Sequence, residues 1–550
     1  MLVLRPFAAA VALLVAQCLF SSSTDAACNS FSTRFNQEIS GVCVCTAANC
    51  DTISNGYLSL GDKEAGVYQT SKAGDRLAYS TVAVENTASA TADIVIDTTV
   101  RYQKIVGFGG AFTDTTALNV YQMDAAVQQK IVDAYWSETG LQYTLARIPI
   151  ASTDFSTSIY SYNAVEDDFE MKNFSIDMDK TSASNKLNLI KRAIQTTRVA
   201  QREITFFASS WAPPAWMTAE NTTINAKLKG VPGGPYWKAL ALYYSKFIDA
   251  YEAEGVKIWG LTTQNEPVQQ ASNLYWQSLR FDTATERDWI KNDLGPLIKT
   301  NHPDLKLMMF DDQKAMLLKW DATLKDPEAR KYIDGVGVHW YMNLDFLSKA
   351  AGNFADLTTW QEANPDLFIL ATEACNGYLP EPLGTGTGVK ILQPEIVWRR
   401  GEIYARDIIN DLANYATGWT DWNQVLDTKG GPTWVGNNVD SPIIVDEVGK
   451  KEFYKQPSYY VMGHFSKFIT PQSARVKLDV SAAATTNLAN VDRVAFFTPE
   501  NQVVVVLQNR DATPKTVSVS LSFEGRSTNI TLPANSVQTI IVGERARPVC

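Results

Sequence analysis

Two rhythms alternate along the chain. From about residue 103 to residue 455, short apolar runs are separated by longer stretches whose apolar positions recur three and four apart. The runs are Ile105 to Gly109, Tyr143 to Pro149, Ile204 to Trp211, Ile258 to Asn265, Leu305 to Phe310, Gly335 to Trp340, Leu367 to Thr372 and Gly418 to Trp422. They read as buried strands, and stretches such as Tyr236 to Tyr251 read as amphipathic helices. Eight strands in this alternation predict an α/β fold, a (β/α)8 TIM barrel with insertions. Outside the barrel the period is two. Tyr79 to Glu85 and Asp93 to Asp97 lie before it, and Val503 to Leu507, Thr516 to Ser522 and Gln538 to Val542 after it. The expected division is a signal peptide at 1–27, a small N-terminal β region at 28–102, the barrel at 103–455 and a β-sandwich at 456–550. The N-terminal β region is expected to pair in part with the sandwich, bringing the two ends of the chain together. A doubly wound sheet is the rival architecture, and it should carry a glycine-rich phosphate turn after its first strand. Gly107 to Gly110 lacks the full pattern, and Gly384 to Gly388 lies in a Pro-rich loop, so neither is read as nucleotide-binding.

Composition narrows the partners and the compartment. A net charge of −10 and the lack of a Lys/Arg-rich run argue against nucleic acid. Arg5, the apolar run from Phe7 to Phe20 and the small residues up to Ala27 form the three regions of a secretory signal peptide. No later stretch reaches the ~18 apolar residues a membrane helix needs. On a secretory chain the acceptor triplets at Asn173, Asn221 and Asn529 can carry sugar. Cys28, Cys43, Cys45 and Cys50 crowd together, and in an oxidising compartment they are expected to form two disulfides. Their spacing is not that of a zinc site and no histidine lies nearby. Spacing alone leaves three pairings open, and also the states of Cys375 and Cys550.

The chemistry is sought at the C-terminal ends of the strands, where barrels carry their active sites. The second strand runs through Arg147 towards Asp154, and the third ends at Trp211. The fourth stops at Asn265-Glu266-Pro267, where the proline ends the ladder and leaves a carboxylate at the mouth. The sixth supplies His339-Trp340-Tyr341, the seventh Thr372-Glu373-Ala374-Cys375 and the eighth Thr420 to Asn423. Glu373 lies 107 residues after Glu266. At the roughly 31 residues per unit of a typical barrel, that is three units plus an insertion, which sets the two carboxylates across one mouth. Such a pair hydrolyses glycosidic bonds: one carboxyl protonates the leaving oxygen, and the other attacks the sugar carbon or activates water. Trp211, Trp276, Trp340, Tyr341 and Trp422 are expected to line the same mouth and stack on sugar rings. Other chemistries lack their residues. There is no Gly-x-Ser-x-Gly elbow, and His302, His339 and His464 are not at metal-ligand spacing, so neither metal nor cofactor is expected. A thiol nucleophile at Cys375 lacks an evident histidine partner in sequence, although His339 could be near in space.

These motifs resemble glycoside hydrolase family 30, and within it the lysosomal glucosylceramidases. The resemblance rests on Val106 to Asp114, Arg147 to Phe155, Thr262 to Pro267, Val338 to Tyr341, Thr372 to Cys375 and Gly418 to Asn423. Val439 to Asp446, Phe453 to Pro457 and Gly463 to Phe468 extend it, in the same order, over nearly all the mature chain. It implies a retaining β-glucosidase that hydrolyses glucosylceramide or a related β-glucoside. Glu373 would be the nucleophile and Glu266 the acid/base, so Glu266 should start protonated and Glu373 charged. By the same resemblance Asn265 would bond the 2-hydroxyl, and Asp154, Trp211, Trp422 and Asn437 the remaining hydroxyls. Tyr341 would orient Glu373, Arg147 would keep it ionised, and Tyr275 and Trp276 would face a lipid aglycone. Also implied are the pairs Cys28–Cys43 and Cys45–Cys50, transient contact with a membrane surface, a lipid-presenting activator protein, and a lysosomal or extracellular place. The loops after Glu266 and after Cys375 depart from the pattern. Secreted endo-β-1,6-glucanases of the same family share the central motifs and form the alternative, and an inactive sugar-binding protein is the alternative from another class.

Overall fold

The computed structural model describes residues 28, 41–87, 91–268, 275–343, 354–511, 517–523 and 525–543. The expected signal peptide and Cys550 lie outside the described residues. Eight parallel strands close into a barrel: β1 (Gly107–Ala111), β2 (Leu145–Ile150), β3 (Thr205–Ser210), β4 (Ile258–Thr262), β5 (Lys306–Gln313), β6 (Gly335–His339), β7 (Phe368–Glu373) and β8 (Ala416–Asn423). All eight expected strands are present. Two shift in an informative way. β1 begins at Gly107 and runs through the glycines, because the neighbouring strand is too close for side chains. A Cβ on Gly109 would sit 1.6 Å from the Leu145 carbonyl oxygen. The Gly107 to Gly110 cluster is therefore a close-approach strand and not a turn. β5 runs three residues past the expected Phe310 and carries Asp311, Asp312 and Gln313 into the mouth.

The helix expected over Tyr236 to Tyr251 spans Pro235–Ala253, with proline in its first turn, where its missing N–H costs nothing. Its inner face buries Trp237, Leu240, Tyr244, Phe247 and Tyr251.

Outside the barrel lies a nine-stranded sheet. Its order is Arg526–Leu532, Val517–Phe523, Ile94–Lys104, Ala474–Val480, Val491–Phe497, Val503–Asn509, Ser536–Val542, Glu64–Ser71 and Ala78–Ala83. A bridge between Glu85 and Ser527 draws its two edges together, and the sheet folds over a core that includes Val67, Ile96, Val505, Leu521 and Ile540. N-terminal strands pair directly with C-terminal ones: Glu64–Ser71 runs antiparallel to Ser536–Val542, and Ile94–Lys104 to Ala474–Val480. The alternation rule misses Glu64–Ser71 because both faces of that strand are largely covered. The helix Pro457–Ser466 is buried all round between barrel and sheet. There His464 bridges Thr70 and Thr539, and burial lowers it to about 3, so the imidazole is neutral.

The cysteines pair as Cys28–Cys43 and Cys45–Cys50, and the free Cys375 is buried. Strand Cys43–Thr46 joins Glu452–Lys455, so this pairing ties the disulfide-bonded segment to the region that follows β8. Asn173, Asn221 and Asn529 are all exposed.

Candidate active site

Glu266 and Glu373 face one another across the C-terminal mouth. Their nearest carboxylate oxygens and a nitrogen of His339 all lie within 4.8 Å of each other. Glu373 is the last residue of β7, whereas Glu266 stands past the end of β4. Backbone bonds from both neighbours hold the β4 turn: Asn265 N–H donates to Ser210 O on β3 and Glu266 N–H to Asp311 O on β5, each at 3.0 Å. Glu266 adopts φ +45°, and Phe310 and Asp311 adopt +74° and +61°. Side-chain-bearing residues there cost about 1–3 kcal/mol each, a cost that concentrates at functional sites.

Asp311 is the hub beneath the pair. Its Oδ2 accepts from Arg147 Nη2 at 2.7 Å, Thr262 Oγ1 at 2.7 Å and Ser209 Oγ at 2.9 Å. Its Oδ1 accepts from Thr372 Oγ1 at 2.6 Å and meets His339 Nε2 at 3.0 Å. Arg147 extends its other amine to Glu373 Oε2, and Nη2 also reaches Asn265 Oδ1 at 2.8 Å. With its oxygen taken by Arg147, Asn265 is left with its NH2 for a ligand. His339 Nδ1 meets Glu266 Oε1 at 3.1 Å. One buried carboxylate thus braces a cation against each facing glutamate. Tyr341 OH donates to Glu373 Oε1 at 2.7 Å, and Gln313 Nε2 to Glu266 Oε1 at 2.9 Å.

These groups open into a cavity of about 230 Å³ lined by Asp154, Trp211, Asn265, Glu266, Trp276, Gln313, Tyr341, Glu373, Cys375, Tyr378, Trp422, Asn437 and Val439. Trp211 and Trp422 stack at 5.0 Å, and the Arg147 guanidinium lies 4.8 Å from the Trp211 ring. Asn437 Nδ2 donates to Asp154 Oδ2 at 2.7 Å and closes one end. Most of the expected site residues meet here. Arg147 is fully buried behind the wall, and Tyr275 stays outside the lining, 69% exposed at the rim. Trp340 is a correction. Its indole turns into the core against Tyr404 and Trp419 and donates to Cys375 O, because side chains alternate along a strand and its neighbour faces the mouth. Asp311, Asp312, Gln313 and Tyr378 are additional to the expected set. Two aspartates following the apolar run of β5 were the available signal.

Electrostatics divide the carboxyls. Burial disfavours ionisation of Asp311, but Arg147 and the bond to His339 overcome it and hold that carboxyl well below its usual range. Burial, with the charges of Glu373 and Glu266, pushes Asp154 up to about 7 against its bond from Asn437. Burial and the charge of Glu266 do the same to Asp312, also to about 7. Burial, with Glu266, raises Glu373 too, while His339 and Arg147 oppose it. For His339, burial is outweighed by Glu373 and by its bonds to Asp311 and Glu266, which raise it to about 10. Burial keeps the Cys375 thiol protonated, which argues against a thiolate nucleophile.

The stability consequence has a definite sign. A buried acid whose folded pKa lies above its unfolded value, about 3.9 for Asp, costs stability as pH rises between the two. Asp154 and Asp312 should therefore make the fold less stable at pH 7.5 than at pH 4.5. In thermal melts at those two pH values, Asp154→Asn is expected to narrow the gap; an unchanged gap would contradict the raised value. Asp311 has the opposite sign. Its stabilisation is present above the unfolded value and disappears only as pH falls through its depressed folded pKa.

Comparison with known proteins agrees with this architecture. Residues 105–469 match the glycosyl hydrolase family 30 TIM-barrel domain, and residues 472–540 its beta sandwich domain. The chain is 38% identical over 487 residues to the lysosomal acid glucosylceramidase of Mus musculus, covering 87% of this chain and 89% of that one. It is 36% identical over 542 residues to putative glucosylceramidase 4 of Caenorhabditis elegans, covering 96% and 98%. An endo-1,6-beta-D-glucanase of Neurospora crassa is more distant, at 26% over 397 residues, covering 70% and 74%. Among solved structures, SrfJ from Salmonella typhimurium shares the fold with a TM-score of 0.75 at 24% identity, covering 88% of this chain and all of that one. A closed barrel with facing glutamates, both family domains in order and relatives matched over almost their whole length lead to one assignment: the chain is a member of glycosyl hydrolase family 30.

Proposed function

We propose that the protein is a retaining β-glucosidase that hydrolyses glucosylceramide to glucose and ceramide through a covalent glucosyl-enzyme. One observation carries the reading: facing carboxylate oxygens within 4.8 Å at the wall of a cavity of about 230 Å³. Retaining pairs stand about 5–5.5 Å apart and inverting pairs about 6.5 Å or more, so oxygens this close favour retention. The cavity is smaller than the ~300–1,000 Å³ of a drug-sized ligand site. It suits a single sugar ring, gripped by Asp154, Asn437 and Asn265 against the paired tryptophans. The kinship with proteins called glucosylceramidases, at 36% and 38% identity, favours glucose and a lipid aglycone.

The hydrogen bonding suits the roles. Both oxygens of Glu373 accept donors, one of them the Arg147 cation, which favours an ionised nucleophile. The donors at Glu266 meet Oε1, which leaves Oε2 for the glycosidic oxygen. Glu266 then protonates the glycosidic oxygen as Glu373 attacks the anomeric carbon. Once Glu373 is esterified its charge is gone, and Glu266 takes a proton from the incoming water.

The finer setting follows the same reading: delivery through a signal peptide, sugar at Asn173, Asn221 and Asn529, and a lysosomal or extracellular place. Tyr275, Met342, Leu383 and Leu392 are exposed on the loops after β4, β6 and β7, which suits transient contact with a membrane surface and a lipid-presenting activator protein. The test sets glucosylceramide in detergent beside β-1,6-glucan. Release of glucose from the lipid is expected; cleavage of the polysaccharide alone would replace the reading with an endo-β-1,6-glucanase. No hydrolysis of any β-glucoside across acidic pH would leave a sugar-binding protein.

A further inference from the structure

The glycine-rich loop after β7, which has no part in the chemistry above, is strapped in place. Arg400, itself buried, donates from Nε to Thr385 Oγ1 at 3.0 Å, from Nη1 to Gly388 O at 2.8 Å, and from Nη2 to Gly386 O at 2.8 Å and Thr385 O at 3.1 Å. Its Nη1 also pairs with Asp440 at 2.5 Å. At the base of the loop Gly388 N–H donates to Gly377 O at 2.9 Å. Gly377 turns the chain at φ +82°, where a Cβ would lie 2.8 Å from Asp440 N and 2.9 Å from Gly388 O. No other residue type fits that turn without displacing backbone.

The turn delivers Tyr378 to the cavity wall. Its ring meets Tyr341 edge-on at 4.9 Å, and its hydroxyl donates to Tyr341 O at 3.0 Å. Tyr341 is in turn the donor to Glu373. The lining is therefore two-sided. The groups suited to hydroxyls, Asp154 and Asn265 with the stacked Trp211 and Trp422, come from the ends of β2, β3, β4 and β8, and Asn437 from the loop that follows β8. The loops after β4, β6 and β7 contribute aromatic faces instead: Trp276, Tyr341 and Tyr378. The Tyr378 hydroxyl is spent on a backbone carbonyl, so its ring offers a leaving group an apolar surface.

We infer that Tyr378 is a specificity-determining residue: the strapped loop holds its ring as the aglycone-side wall, which selects an apolar leaving group over a second sugar. The inference rests on the β-glucosidase reading, so the test separates the two. The full chain, Tyr378→Ser and Tyr378→Phe are compared on 4-nitrophenyl, octyl and methyl β-glucosides, with melting curves to establish folding. Removing an aromatic contact of about 0.5–1.5 kcal/mol should raise KM for the nitrophenyl and octyl glucosides up to about tenfold in Tyr378→Ser. Any loss passed through Tyr341 to Glu373 is common to all three glucosides, so kcat/KM for methyl β-glucoside, whose aglycone is too small to gain from the contact, should fall by less than for the other two. Tyr378→Phe keeps the ring and should keep the wild-type preference. An unchanged preference in a folded Tyr378→Ser, or loss carried equally by all three glucosides, overturns the inference. A wild-type chain inactive on every glucoside overturns the underlying reading and the inference with it.

Discussion

Glu373→Gly is expected to lower kcat by at least ~10⁴-fold, as removal of a group that acts as one unit with its partner does. The fold should survive, because the residue lies at the end of its strand and opens onto a cavity. Loss of activity alone would not assign the role, so azide supplies the second measurement. With the carboxylate gone, azide can occupy its place and attack the anomeric carbon once, giving the α-glucosyl azide. Glu266→Ala behaves differently. It should lose about 10²–10⁴-fold on alkyl glucosides, which need their leaving oxygen protonated, and far less on a dinitrophenyl glucoside, whose leaving group departs unaided. Azide then attacks the glucosyl-enzyme on Glu373, and the product is the β-azide after two inversions. The same anomer from both variants, or the two anomers exchanged, would refute the assignment of roles.

Asp311→Asn is expected to have the next largest effect, although Asp311 touches no substrate. The exchange keeps the size and removes the charge that Arg147 and His339 share. Breaking a buried pair from one side costs about 3–5 kcal/mol, because the remaining charge is left without its counterpart. The melting temperature should therefore drop clearly. Arg147 and His339 would also be freed to shift towards the glutamates they now steady. A displacement of about 1 Å at reacting groups costs on the order of 10²-fold in rate. We expect kcat to fall by that order while KM stays within about threefold, since Asp154, Asn265 and Asn437 still hold the sugar. A destabilised variant with unaltered kcat would show Asp311 to be a structural brace only.

The apolar runs located all eight barrel strands because a strand covered by helices outside the barrel and by packed side chains inside it must be apolar along its length, a local property of the chain. The strand-end rule found Glu266 and Glu373 for a similar reason. A carboxylate beside a proline or a polar step at the end of an apolar run stands out without any neighbour. Glu64–Ser71 was invisible by the same logic, since its faces are covered by distant segments, the helix Pro457–Ser466 on one side and the sheet core with Val505 and Ile540 on the other. Trp340 was misplaced because a period of two tells which residues share a face, but one residue decides which face looks into the mouth.

What the sequence by itself determined is the architecture and the two facing carboxylates, written in local patterns and in spacing, and the family, through the resemblance of its motifs. Only the tertiary structure decided the environment around those carboxylates. Asp311 is one more acid at a strand end until Arg147, Ser209, Thr262, His339 and Thr372 converge on it from five strands or strand ends. Tyr378 is a tyrosine before a Gly- and Pro-rich loop until Arg400 straps that loop and Gly377 turns it towards Tyr341. Charge balance and the shape of a cavity depend on distances between residues far apart in the chain, and only the closed barrel sets those distances.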